Sequence, residues 1–121
     1  MLPVKKKPLI HKIIEGLGES GFKEIQISVH YKGEQLVNYF KNGKKFGVNI
    51  EYIHEEKPLG TAGCLSLIDI KNLNEPIIVL NGDVLTNIDY RRLINFHQKS
   101  KKSCTLCTAA YDISIPYGTI E

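Results

Sequence analysis

Two short segments of this 121-residue chain carry groups whose type and spacing could do chemistry. The first is Leu80-Asn81-Gly82-Asp83, which closes the apolar run Ile77-Ile78-Val79-Leu80. Asp83 offers hard carboxylate oxygens of the kind that hold magnesium, and Gly82 lets the backbone turn or approach a ligand with no Cβ in the way. The second is Pro58-Leu59-Gly60-Thr61-Ala62-Gly63. Its glycines permit close backbone approach, and Thr61 is suited to cap a following helix. The free N–H groups of such a helix start can bond a polar ring or an anion. Each segment also has a plainer reading, as an Asn-Gly-Asp turn and as a capped helix start. The second is neither a G-x-G-x-x-G nor a G-x-x-x-x-G-K-[ST] loop.

The elements around these segments decide what they can reach. Leu9, Ile10, Ile13, Ile14 and Leu17 recur at helical spacing after Pro8, which predicts a helix from about Pro8 to Ser20. Ile25, Ile27 and Val29 alternate with Gln26 and Ser28 as a strand, and Leu36, Val37, Tyr39 and Phe40 mark a second helix stopped by Asn42-Gly43. Val48 to Ile53 reads as a strand, Thr61 to Ile70 as a short helix, and Ile77 to Leu80 as a strand buried on both faces. Tyr90 to Lys99 reads as a helix and Cys104 to Tyr111 as a final strand. This alternation is the pattern of βαβ units: an α/β fold with a mainly parallel sheet and helices on both faces. Ligands of such sheets bind beyond the carboxyl ends of the strands, where both segments fall.

Composition bounds the classes. A chain with 42% hydrophobic and 24% charged residues has the proportions of one globular domain with one core. Its net charge of +3 comes from dispersed lysines such as Lys41, Lys44, Lys45, Lys99, Lys101 and Lys102, without the dense basic stripe and stacking aromatics of a nucleic-acid site. No apolar stretch approaches the ~20 residues of a membrane span, and the secretory-signal pattern is absent, so a cytoplasmic location is expected. Three cysteines do not make a disulfide framework. Cys104 and Cys107 spell C-x-x-C, but in a strand they point to opposite faces, so all three cysteines are expected to be small packed side chains. His11, His30, His54 and His97 are scattered without ligand spacing.

Taken together, Leu59-Gly60-Thr61-Ala62-Gly63 and Leu80-Asn81-Gly82-Asp83 resemble the sugar-nucleotide pyrophosphorylases, or sugar-1-phosphate nucleotidylyltransferases. Leu2-Pro3-Val4 with Lys7-Pro8-Leu9-Ile10, Phe46-Gly47-Val48 with Ile50, and Tyr117-Gly118 are similar to other family segments, so the likeness runs along the whole chain. The nearest subgroup is mannose-1-phosphate guanylyltransferase-like. The resemblance implies a three-layer Rossmann-like nucleotide-diphospho-sugar transferase fold. It also implies a reaction in which a nucleoside triphosphate and a sugar 1-phosphate give a nucleotide sugar and pyrophosphate with Mg2+. By the same resemblance, Leu59, Gly60 and Thr61 would meet the nucleotide base with Glu55 or Glu56 near its edge, and Asn81 and Gly82 would shape the crevice. Asp83 would be the catalytic metal ligand, and Gly118 would approach the sugar.

The family's signature loop, G-G-x-G-x-R followed downstream by Pro-Lys, would precede Met1, and its sugar-binding part would follow Gly118. Residues 1–121 are therefore expected to be a partial, incomplete domain of impaired activity. Lys5, Lys6 and Lys7 follow the missing lysine in register and do not take its role. A non-catalytic module that binds nucleotide or a partner is the alternative. A phosphoryl-accepting receiver would need an acidic pair on its first strand, which is not visible. Apolar surface left by missing strands would favour self-association as a homo-oligomer.

Overall fold

The computed structural model describes residues 3–4, 7–69, 73–110 and 112. A short antiparallel pair, β1 (Pro3–Val4) and β2 (Lys7–Pro8), leads into helix α1 (Leu9–Glu19). Pro8 stands at the N-cap of α1 with φ −59°, an entry angle compatible with the helix. Strand β3 (Glu24–Val29), helix α2 (Gly33–Phe40) and strand β4 (Asn49–His54) follow. β3 and β4 pair in parallel, from Glu24 opposite Asn49 to Val29 opposite His54.

Alternation along these strands separates two chemistries. Ile27, Val29 and Ile50 turn to one face, where Ile14 of α1, Phe40 of α2 and Val48 complete a buried cluster. Phe40 and Ile14 are each 2% exposed, so both helices are anchored to this one face. The other face carries cross-strand polar pairs: Asn49 donates to Glu24 at 2.8 Å and Gln26 donates to Glu51 at 3.1 Å.

Helix α3 (Tyr90–Ser100) begins at Asp89, whose side chain accepts from the Arg92 N–H at 3.0 Å. Buried Tyr90 meets Phe22 edge-on at 6.3 Å, and Arg91 Nε donates to the Ser20 carbonyl at 2.6 Å. These contacts tie α3 to the end of α1.

Three of the four expected helices and the first two expected strands form, and those strands pair in parallel. Three later elements differ. Residues 61–69 contain a 3₁₀ segment, Gly63–Leu67, in place of an α-helix. Its glycine and short polar residues favour an α-helix poorly, and Ile68 is already extended at φ −111°, ψ 150°. The run Ile77–Leu80 is not in a sheet, and Ile77, Val79 and Leu80 are 42%, 44% and 38% exposed. An open gap, described below, lies between this run and β3, so no ladder forms between them. Residues 104–110 likewise have no strand pairing; Cys104 and Cys107 are exposed and Cys64 half-buried, which corrects the expectation of packed thiols. Tyr111 and the 113–121 segment, with Tyr117 and Gly118, lie outside the described residues.

Candidate functional site

Glu55 is the first residue beyond β4, and its backbone N–H continues the ladder by donating to the Val29 carbonyl at 2.9 Å. This places its carboxylate at the carboxyl end of the parallel pair. One carboxylate oxygen accepts from the Ser28 hydroxyl and the other from the Leu59 N–H at 3.1 Å. His30 Nδ1 contacts the Glu55 carbonyl at 2.8 Å. The Ser28 hydrogen bond, followed by that of the Leu59 amide, holds the Glu55 carboxyl below its usual range. Glu55 thus clamps the loop that follows it to the sheet.

Beyond the clamp the loop turns tightly. Gly60 adopts φ +80°, in the left-handed region that favours glycine. Gly63 returns so close to Leu59 that a Cβ built on it would sit 2.6 Å from the Leu59 Cβ. Thr61 makes no capping bond; Ala62 precedes the 3₁₀ segment, and its carbonyl accepts from the Leu65 N–H at 3.1 Å. The expected capped α-helix start is replaced by a short 3₁₀ turn.

Asn81, Gly82 and Asp83 form an exposed turn in which the Val84 N–H reaches the Asn81 carbonyl at 3.4 Å. Gly82 lies outside the left-handed region, and a Cβ added to it would meet Ile10 Cδ1 at 3.5 Å, an ordinary contact. The turn therefore does not demand glycine. Its proximity to Ile10, in the first turn of α1, puts it at the same end of the sheet as Glu55.

Glu55, Thr61, Asn81, Gly82 and Asp83 line one open cavity of about 740 Å³. Leu59 and Gly60 do not line it, although the Leu59 N–H is bonded to Glu55, and Gly118 lies outside the described residues. The Asp83 carboxylate has no hydrogen-bond or ion-pair partner among the described residues, and no group of three metal-ligating side chains occurs among them. One free carboxylate in a crevice still suits magnesium, which commonly takes one or two protein carboxylates and fills its remaining positions with water and substrate phosphates.

The support for Glu55 from Ser28 and His30 is not apparent before strand register is known. A second network is also tertiary. His11 is buried, with Nε2 2.7 Å from Glu15 and Nδ1 3.0 Å from the Tyr39 hydroxyl, among the rings of Tyr39, Phe40 and Phe46. The i,i+4 spacing of His11 and Glu15 on a helix is its only trace in the sequence.

A parallel strand–helix–strand layer with a crevice beside its strands is a Rossmann-like arrangement. The chain belongs to the nucleotidyl transferase family, whose match covers residues 1–121. It is 32% identical over 120 residues to D-glycero-alpha-D-manno-heptose 1-phosphate guanylyltransferase of Aneurinibacillus thermoaerophilus, covering 99% of this chain and 52% of that protein. It is 37% identical over 117 residues to mannose-1-phosphate guanyltransferase 2 of Candida glabrata, covering 94% of this chain and 32% of that protein. It is 36% identical over 117 residues to mannose-1-phosphate guanyltransferase of Saccharomyces cerevisiae, with the same coverage. The chain thus spans from about a third to about half of these relatives' lengths. Among the described residues no helix is long and apolar enough to cross a membrane.

Proposed function

We propose that these residues form the nucleotide and metal side of a sugar-1-phosphate guanylyltransferase crevice. Glu55, Thr61 and the Asn81-Gly82-Asp83 turn come from separate segments and line one cavity that runs along β3, with Glu55 at the carboxyl end of the parallel pair; this convergence carries the reading. The names of the relatives point to GTP as the nucleotide and to a mannose-type or heptose-type sugar 1-phosphate as acceptor.

In this reading a sugar phosphate oxygen attacks the α-phosphorus, and the bond to the β-phosphate oxygen breaks to release pyrophosphate. The nucleophile is already anionic, so positioning and charge neutralisation dominate over general base catalysis. Magnesium held by Asp83 would supply that neutralisation at the phosphates. The loop Leu59-Gly60-Thr61 would offer its backbone to the base. Glu55, engaged by Ser28 and Leu59, acts first by fixing that backbone. Asn81 and Gly82 would let the triphosphate approach, and Gly118 would serve the sugar.

A binding module without chemistry is the second reading. No lysine or arginine lines the cavity among the described residues, so these residues offer no side-chain cation to a triphosphate. Titration with GTP separates the possibilities. In magnesium buffer, Asp83→Asn is expected to weaken GTP binding about tenfold or more, with little effect when magnesium is withheld. Equal affinities of the two forms under both conditions would rule out the metal assignment. Binding without turnover of a sugar 1-phosphate would favour the module.

A further inference from the structure

Three titratable side chains meet on a face of α1 that the crevice does not use. Ile10, Ile13, Ile14 and Leu17 line the cavity, whereas His11, Glu15 and Tyr39 of α2 do not. His11 is buried, yet both of its ring nitrogens are engaged, Nε2 by Glu15 at 2.7 Å and Nδ1 by the Tyr39 hydroxyl at 3.0 Å. The rings of Phe40 and Phe46 pack against the same imidazole.

The proton positions follow from charge. The Glu15 carboxyl is held below its usual range, first by its hydrogen bond with His11, and it also accepts from Lys7 at 3.2 Å, so near neutral pH it is ionised and only accepts. Nε2 therefore carries the proton, neutral His11 presents Nδ1 as an acceptor, and the Tyr39 hydroxyl donates to it. Lys12 and Glu19 on α1, Glu34 on α2, and Lys44 and Lys45 on the turn Lys44–Phe46 form no ion pair among the described residues. Glu15 and Lys7 are thus the charges bonded into this network. A carboxylate that orients an imidazole, which in turn accepts from a hydroxyl, is the order of groups that activates a nucleophile.

The other tyrosines sharpen the assignment. Tyr52 donates to the Lys41 carbonyl at 2.7 Å, an acceptor that does not take a proton, and burial pushes the phenols of Tyr52 and Tyr90 up. Tyr31 is 80% exposed, with the Lys32 ammonium over its ring and no base at its hydroxyl among the described residues. Tyr39, 40% exposed, combines access to solvent with a hydrogen-bonded imidazole.

We infer that Tyr39 is an acyl-accepting nucleophile, with His11 as its general base and Glu15 as the residue that positions His11. The phenolic oxygen attacks the carbonyl carbon of an activated ester while its proton passes to His11 Nδ1, and Glu15 balances the charge of the imidazolium. The ester C–O bond then breaks, the alcohol leaves with the proton returned by His11, and an O-acyl tyrosine remains. This step uses no residue of the crevice and does not depend on the guanylyltransferase reading.

The probe is p-nitrophenyl acetate, added to the 121-residue protein while acetylation is followed residue by residue by peptide mass spectrometry. At neutral pH Tyr39 is expected to react about tenfold or more faster than the more exposed Tyr31. His11→Gln is expected to abolish that excess. Glu15→Gln, which leaves the buried cluster untouched, is expected to remove most of it. Acidification that protonates His11 should abolish it as well, a response that a purely structural network would not give. Tyr39 reacting no faster than Tyr31 in the unmodified chain would overturn the inference. So would an excess that survives Glu15→Gln undiminished, or a Tyr39 rate that follows that of Tyr31 in parallel across pH.

Discussion

The Leu59 N–H donates to the Glu55 carboxylate at 3.1 Å, and that carboxylate is itself held by the Ser28 hydroxyl at the end of β3. The conformation of a surface loop is therefore set by the sheet. The order of parts runs from strand register, through a clamped carboxylate, to the backbone proposed to meet a base.

This clamp depends on ionisation. The Glu55 carboxyl is lowered by the hydrogen bonds from Ser28 and Leu59, so its stabilising effect is present above the ordinary carboxylate range and is lost as pH falls through its folded-state value. Protection of the Leu59 amide, corrected for intrinsic exchange, is expected to fall as the solution is acidified. Glu55→Gln should show weaker protection that no longer varies over that interval, and an unchanged acid dependence in this variant would refute the clamp.

Gly82 separates folding from binding. A Cβ at this position meets Ile10 at ordinary contact distance, so Gly82→Ala is expected to change stability by less than about 1 kcal/mol in thermal or urea unfolding. If the backbone at Gly82 approaches phosphate, the same substitution weakens GTP binding. Unchanged stability with unchanged affinity would remove Gly82 from the site.

Phe40 is the opposite case. It is 2% exposed and packs in the cluster that joins α1, α2 and both strands of the parallel sheet. Phe40→Ala is expected to cost about 3–5 kcal/mol through lost burial and the cavity left behind. Urea unfolding monitored by circular dichroism gives the measurement, with Phe40→Leu expected to lose less.

The His11 network adds a smaller pH dependence. Hydrogen bonding to His11, and then to Lys7, lowers the Glu15 carboxyl, so this contribution exists above the ordinary carboxylate range and disappears on acidification. Because Glu15 is substantially exposed, solvent screening keeps the contribution below about 1 kcal/mol. Glu15→Gln should flatten the acid limb of the stability profile, whereas His11→Ala should cost more at every pH because it also removes buried ring contacts.

Local pattern was sufficient for α1, α2, β3, β4 and α3. Apolar spacing of 3.6 or 2 residues, with Pro8 at a helix start and Asn42-Gly43 at a helix end, already determines which backbone state buries the side chains. The motif at Leu59–Gly63 could likewise be placed just beyond the strand that ends at His54, whereas Leu80–Asp83 follows a run that forms no strand. What lay beyond the sequence were the contacts between elements. A run such as Ile77–Leu80 becomes a buried strand only if another strand lies about 4.8 Å away, and the gap beside β3 denies it that neighbour. The same holds for the hold of Ser28 on Glu55. Side-chain period follows from covalent geometry, but pairing and coverage depend on what occupies the space alongside, which only the tertiary structure decides.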